Sequence, residues 1–213
     1  MKLVKNILLV CIAFGLMAFA FDDDDDNKDK AAKRTKADFL MNYLNIRYPK
    51  HEFKDFLYVA VKKQEMHFVK DGKFIKTYKV STGKKGIGYI EGSEKTPCGL
   101  LKIRTKVGDN LPIGAIIRGS KYTGKIAEIE RDSVCTGLDY VTTRALRLSG
   151  LEEGINKGGK KDTYARGIFI HGTPDEGLIG TPVSHGCIRM LNADVAELYD
   201  QVDKNTYVII LNN

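Results

Sequence analysis

Hydrophobic and polar positions change rhythm several times along this chain, and the changes divide it. Ile7 to Ala20 is an uncharged apolar run of 14 residues behind Lys2 and Lys5, closing on the small-x-small triplet Ala18-Phe19-Ala20. Those are the three parts of a secretory signal. The run is shorter than the ~20 apolar residues of a transmembrane helix, so residues 1–20 read as a cleaved signal, with a retained anchor as the alternative. Cys11 follows Leu9-Val10 rather than a small residue, which argues against lipid modification. Asp22 to Asp26 then forms a run of like charge that stays solvated, and it reads as a spacer rather than a calcium site.

Residues 36–47 carry Phe39, Leu40, Tyr43 and Leu44 at helical spacing, and Pro49 ends the run. From Asp55 the period becomes that of strands. The apolar run 56–61 is followed by two β-prone runs, 66–69 and 74–80, around Asp71-Gly72, a strong signal for a two-residue hairpin. Gly83, Gly86, Gly88 and Gly92 mark a long loop, read as a flexible hairpin loop. Its Gly83-Lys84-Lys85-Gly86 start lacks the Gly-Lys-Ser/Thr ending and following helix of a phosphate-binding loop. Further short strands are expected around 100–106, 113–118, 141–148 and 167–171. Asn192 caps a helix over 193–202, and 206–211 closes the chain as a strand. Many short strands with one late helix give a mainly β fold, a sandwich or barrel with a few short helices. The resulting organisation is a signal at 1–20, an acidic linker with a short helix at 21–54, and one domain at 55–213.

Composition narrows this little. With 213 residues, 43% hydrophobic and 29% charged, the chain is an ordinary globular one, which excludes general disorder, collagen-like repeats and a multi-span membrane protein. Charge adds more. Residues 31–213 hold 30 basic and 21 acidic side chains, a net +9. A basic body suits an acidic partner, and for an exported protein that means a cell-wall polymer or membrane surface rather than nucleic acid. Signal loss removes Cys11 and leaves Cys98, Cys135 and Cys187, an odd number. Cys98 with Cys135 as a disulfide and the two as separate thiols both stay open.

The candidate chemistry sits in Ile170-His171-Gly172-Thr173 and Ser184-His185-Gly186-Cys187-Ile188-Arg189, separated by a loop rich in Gly and Pro. A thiol attacks as thiolate, so Cys187 needs a base. His171 and His185 are the candidates, and His171, arriving from another strand, is favoured. Backbone N–H groups at Gly186 and Cys187 suit an oxyanion hole. Arg189 offers a fixed cation for a substrate carboxylate or for the loop. A zinc site from His171, His185 and Cys187 is the rival, and no CxxC or HxxxH spacing supports it.

With these motifs in view, the sequence resembles the YkuD-type L,D-transpeptidases, the group that includes ErfK/YbiS-like enzymes. The resemblance rests on His171-Gly172 and Ser184-His185-Gly186-Cys187-Ile188-Arg189-Met190. Supporting it are Val80-Ser81-Thr82-Gly83, Thr96-Pro97-Cys98-Gly99 and Thr142-Thr143-Arg144-Ala145-Leu146-Arg147-Leu148, over roughly residues 55–213. It implies a YkuD-like β-sandwich catalytic domain acting on peptidoglycan stem peptides, without metal or organic cofactor. Cys187 would attack the carbonyl between an L-centre and terminal D-Ala, and His171 would serve as base and then acid. The backbone at Gly186 and Cys187 would hold the oxyanion, and Gly172, Ser184, His185 and Arg189 would support the loop or bind substrate. An amine of a neighbouring stem would resolve the thioester as a 3→3 cross-link. The Arg189 form resembles that of Gram-negative members, which implies a periplasmic, wall-facing protein with no stable membrane span after signal cleavage. The signature does not define the acceptor. Water (an L,D-carboxypeptidase), a D-amino acid and a protein Lys stay open, as does a non-catalytic wall-binding module.

Overall fold

The computed structural model describes residues 35–213. The leader expected at 1–20 and the acidic run at 22–26 lie outside the described residues. Helix α1 (Lys36–Arg47) starts at a capping box, in which Thr35 Oγ1 accepts from the Asp38 N–H and the Asp38 carboxylate accepts from the Thr35 N–H. It ends where the Tyr48 N–H closes on the Leu44 carbonyl, one residue before Pro49. Ala37, Leu40 and Leu44 are its buried stripe. Phe39 and Tyr43, expected on the packed side, are 60% and 41% exposed, because they form the next row around the helix.

Ten strands follow: β1 (Phe56–Ala60), β2 (Glu65–Lys70), β3 (Lys73–Lys79), β4 (Gly99–Val107), β5 (Ala115–Arg118), β6 (Lys121–Ile126), β7 (Val141–Gly150), β8 (Phe169–Gly172), β9 (Ile188–Met190) and β10 (Tyr207–Leu211), with helix α2 (Asn192–Gln201) before the last. Their order is β3-β2-β1-β10-β4-β7-β5-β6, and β8 and β9 branch from β7. Two pairs are parallel, β1 with β10 and β8 with β9. The β2–β3 hairpin turns on Asp71 and Gly72 at φ 47° and 70°, the left-handed pair that the sequence signals.

The sheet buries both of its faces. Alternation along β1 sends Leu57 and Val59 into one core and Phe56, Tyr58 and Ala60 into the other. The larger core joins Leu101 and Ile103 of β4, Leu146 and Leu148 of β7, Ile170, Ile188 and Met190, and is closed by Val195, Leu198 and Tyr199 of α2. The smaller core is closed by Leu40 and Leu44 of α1 with Tyr48 and Phe53. Residues ahead of 55 therefore complete the sheet's second face, and the short helix is more than part of a spacer. The mainly β, sandwich-like architecture with a late helix is as expected.

Two local expectations need correction. The 83–92 loop joins no hairpin, since β3 and β4 are separated in the sheet by β2, β1 and β10. It is pinned under the cysteine loop instead: Gly83 bridges Ser184, and the Lys84 N–H donates to the Ser184 carbonyl at 2.9 Å. Asn192 is not the cap of α2. Leu191 holds that position without a side-chain cap. The Asn192 amide is committed elsewhere, accepting from Thr142 Oγ1 at 2.7 Å and Thr143 Oγ1, and donating to the Thr173 carbonyl and Glu176 Oε1, both at 2.8 Å. Glu176 also accepts the Asn192 N–H at 2.7 Å, supplying the cap from outside the helix.

Candidate active site

Three devices of the backbone build the site. The register of β7 slips between Thr142 and Ala145, where Thr143 takes φ 65°, an unusual value for a β-branched residue. The Thr143 hydroxyl, bonded to the Gly114 N–H and Asn192, holds it there. Beyond the slip, Ala145 pairs with His171, Leu146 with Ile170 and Arg147 with Phe169. The parallel β8–β9 ladder then sets His171 beside Arg189, two residues after Cys187. Ile170, Ile188 and Met190 fill the larger core, so period-2 alternation turns Phe169, His171 and Arg189 to the other face.

The Ser184–Cys187 turn is braced from within and below. Ser184 Oγ donates to the Cys187 carbonyl at 2.6 Å and accepts the Gly186 N–H at 3.1 Å. Thr96 Oγ1 donates to the Gly186 carbonyl at 3.0 Å. Gly186 has φ 113°, and a Cβ there would stand 3.0 Å from the Lys95 carbonyl oxygen, so only glycine fits. The Gly186 N–H, expected as an oxyanion donor, is already given to Ser184 in this state.

Cys187 Sγ accepts the Phe169 N–H at 3.4 Å and faces the Gly167 carbonyl at 3.6 Å. Burial pushes its thiol up to about 11. His171 is 1% exposed, and its Nδ1 lies 2.7 Å from the Gly172 carbonyl. A carbonyl only accepts, so Nδ1 carries the proton and Nε2 keeps its lone pair. Burial, opposed by that hydrogen bond and reinforced by the charge of Arg189, pushes the imidazole down to about 4. Thiol and imidazole are therefore both neutral at pH 7.

The two candidate bases occupy different environments. His185 is at the surface, its Nδ1 2.7 Å from Asp139 Oδ2. Asp139 also binds the buried Arg189 guanidinium. Burial alone would raise the Asp139 pKa, but the Arg189 charge and the hydrogen bonds from Arg189 and His185 outweigh it and hold the carboxyl below its ordinary range. Asp139 was not legible as a site residue, because it lies 46 and 50 residues from its partners in a loop without pattern. Arg166, whose Nη groups donate to the carbonyls of Gly88 (3.1 Å) and Lys95 (2.6 Å), was missed for the same reason.

The remaining thiols stand apart: Cys98 is buried, Cys135 is exposed, and neither forms a disulfide. Among the described residues no group of three or more His, Cys, Asp or Glu is arranged to hold a metal, and no helix is long and apolar enough to cross a membrane.

The sheet buries both faces, and it sets His171 on β8 beside β9, the strand that starts one residue after Cys187. Residues 54–210 match the family model described as the L,D-transpeptidase catalytic domain, YkuD, and the chain belongs to that family. Among solved structures it is similar to an L,D-transpeptidase from Mycobacterium smegmatis, at 18% identity and TM-score 0.46, over 74% of this chain and 58% of that one. It is similar as well to an L,D-transpeptidase (residues 123–326) from Xylanimonas cellulosilytica, at 17% identity and TM-score 0.44, over 80% and 68%. The catalytic domain of the Enterococcus faecium L,D-transpeptidase is matched at 19% identity and TM-score 0.43, over 76% and 99%. No protein of curated function matches the chain.

Proposed function

We propose that this protein is a cysteine-dependent L,D-transpeptidase of peptidoglycan stem peptides, exported to the wall-facing compartment. The observation that carries the reading is the buried His171, whose Nδ1–H is tied to the Gly172 carbonyl while Nε2 stays free, on the strand beside the one that Cys187 immediately precedes. A nucleophile, a base and a carbonyl orienting that base are the minimal set for acyl transfer.

Because thiol and imidazole both rest neutral, proton transfer accompanies attack. Cys187 Sγ bonds to the carbonyl carbon between the L-centre and D-Ala as its proton passes to His171 Nε2. The tetrahedral oxyanion is met by the Cys187 N–H, joined by that of Gly186 if Ser184 Oγ releases it. Collapse breaks the C–N bond, and His171 returns the proton to the leaving D-Ala amine, leaving a thioester. The acceptor amine of a second stem then attacks the thioester and gives its proton to His171, which passes it to the departing Cys187 sulfur, so that a 3→3 bond is formed and both groups return to neutral. Asp139 positions the buried Arg189 and, at the surface, His185, and Gly172 positions the base.

The test is incubation of purified protein with disaccharide-tetrapeptides, read by mass spectrometry. A dimer that has lost one D-Ala supports transpeptidation, and its absence with Cys187→Ala assigns the nucleophile. Tripeptide monomer alone would make the enzyme an L,D-carboxypeptidase using the same pair. No product from protein with a free Cys187 thiol would overturn the reading.

A further inference from the structure

The face of the sheet that carries His171 also carries a cation without an anion. Arg147 pairs with Phe169 across β7 and β8, and its neighbours Leu146 and Leu148 fill the larger core, so Arg147 lies on the His171 side. Its guanidinium stacks 3.8 Å from the centre of the Tyr164 ring, and Arg104 stands 4.2 Å from the same ring. Nη2 donates to the Tyr164 carbonyl at 2.7 Å, and the Phe169 ring is 5.5 Å away. These contacts are a π face and a neutral carbonyl. Among the described residues no carboxylate pairs with Arg147, and its Nε is buried with no hydrogen-bond partner. Arg189, on the same face, has Asp139 for that purpose.

A cavity of about 320 Å³ lies over this cation, walled by Ile117, Gly119, Ser120, Val141 and Phe169. Its walls are mostly apolar, which strengthens any charge pair formed inside. It is close to the reacting sulfur, since Phe169, which lines it, gives its N–H to Cys187 Sγ at 3.4 Å. One cross-strand step of ~5 Å separates Arg147 from Phe169, a span that ~2 residues of extended peptide cover. A peptide with its scissile carbonyl at Cys187 thus brings its nearest carboxylates within reach.

We propose that Arg147 is a specificity residue, binding a carboxylate of the donor stem peptide in this cavity. The inference rests on the L,D-transpeptidase reading. Two carboxylates have the right chemistry: that of the terminal D-Ala, and that on the side chain of the diamino acid at position three. A guanidinium suits either, because its planar fork matches a carboxylate.

The test uses the full-length protein and three synthetic donors: the unmodified tetrapeptide, its terminal D-alaninamide, and the peptide amidated on the side-chain carboxylate of residue three. For the wild type, one amidation raises KM by about tenfold or more with kcat within about twofold, and the affected donor identifies the carboxylate. Arg147→Met shows the same KM rise on the unmodified donor and no further loss on that amidated donor. Wild-type KM insensitive to both amidations would overturn the inference, as would an Arg147→Met loss equal on all three donors, the mark of a purely structural role. If Arg147→Met does not fold, Arg147→Lys takes its place and the same pattern across the three donors is expected, because an ammonium lacks the bidentate fork. Failure of the wild type to turn over the unmodified tetrapeptide at all is a separate result, and it would remove the activity itself.

Discussion

In the proposed reaction His171, whose imidazole burial pushes far below its ordinary range, sets the acid limb of activity. The proposed base is the neutral ring. Protonation on lowering the pH removes it, so kcat/KM falls as the pH drops through about 4 rather than near the usual 6.5. A pH–rate profile of the free enzyme measures this, and an acid limb near 6.5 would assign the base to another group. His171→Gln should cost ~10²–10⁴ in kcat while leaving the thiol in place. Cys187 has the opposite property. With its thiol held near 11, alkylation by iodoacetamide at pH 7 is slow, and its rate climbs through the alkaline range. Cys135, exposed, is modified first, and buried Cys98, also pushed up to about 11, resists. Peptide mapping after timed labelling gives the order. Earlier modification of Cys187 than of Cys135 would show a thiolate–imidazolium pair at rest.

At the scale of elements, Asn192 is the joint between β7, the segment after β8, and α2. Asn192→Ala strands two buried threonine hydroxyls, a backbone carbonyl and part of Glu176, and should destabilise the fold by about 2–4 kcal/mol, given ~1–3 kcal/mol for each buried polar group left unpaired. Chemical denaturation of the variant checks this. The same residue shows why the sequence was only partly legible. An Asn before an amphipathic run reads as a helix cap, since nothing local reveals that Thr142 and Thr143, about 50 residues back, compete for its side chain. The β2–β3 hairpin was legible because Asp71-Gly72 encodes its own turn. β6 was not, since all six of its residues are exposed and no alternation marks it. β9 was not, since three residues are too few to show a period. Cys187 and His171 were readable as candidates because their motifs are compact. Asp139 was not, because only the folded loop brings it to Arg189 and His185, and the place of Arg147 on the His171 face was not, because only the β7–β8 ladder sets it there.

At the scale of the molecule, burying a neutral imidazole couples the site to stability. The unfolded chain binds a proton at His171 near pH 6.5, and the folded protein only near 4. Between those values the unfolded state holds the extra proton, so stability falls as the pH drops through the window, by at most ~1.4 kcal/mol per pH unit from this group. Denaturation curves at pH 7, 5.5 and 4.5 for wild type and His171→Gln isolate that contribution, which the variant lacks. The parallel pairing of β1 with β10, residue 56 against 207 through 60 against 211, has a consequence in time. Both cores include β10 side chains, Val208 and Ile210 on one side and Ile209 on the other. The first strand therefore waits for the last, and loop closure across some 150 residues precedes the contacts that reward it. A chain emerging from the ribosome stays unlocked until residues 207–211 are free. Deleting residues 207–213 should leave a soluble-phase chain without cooperative unfolding, although both Cys187 and His171 are present.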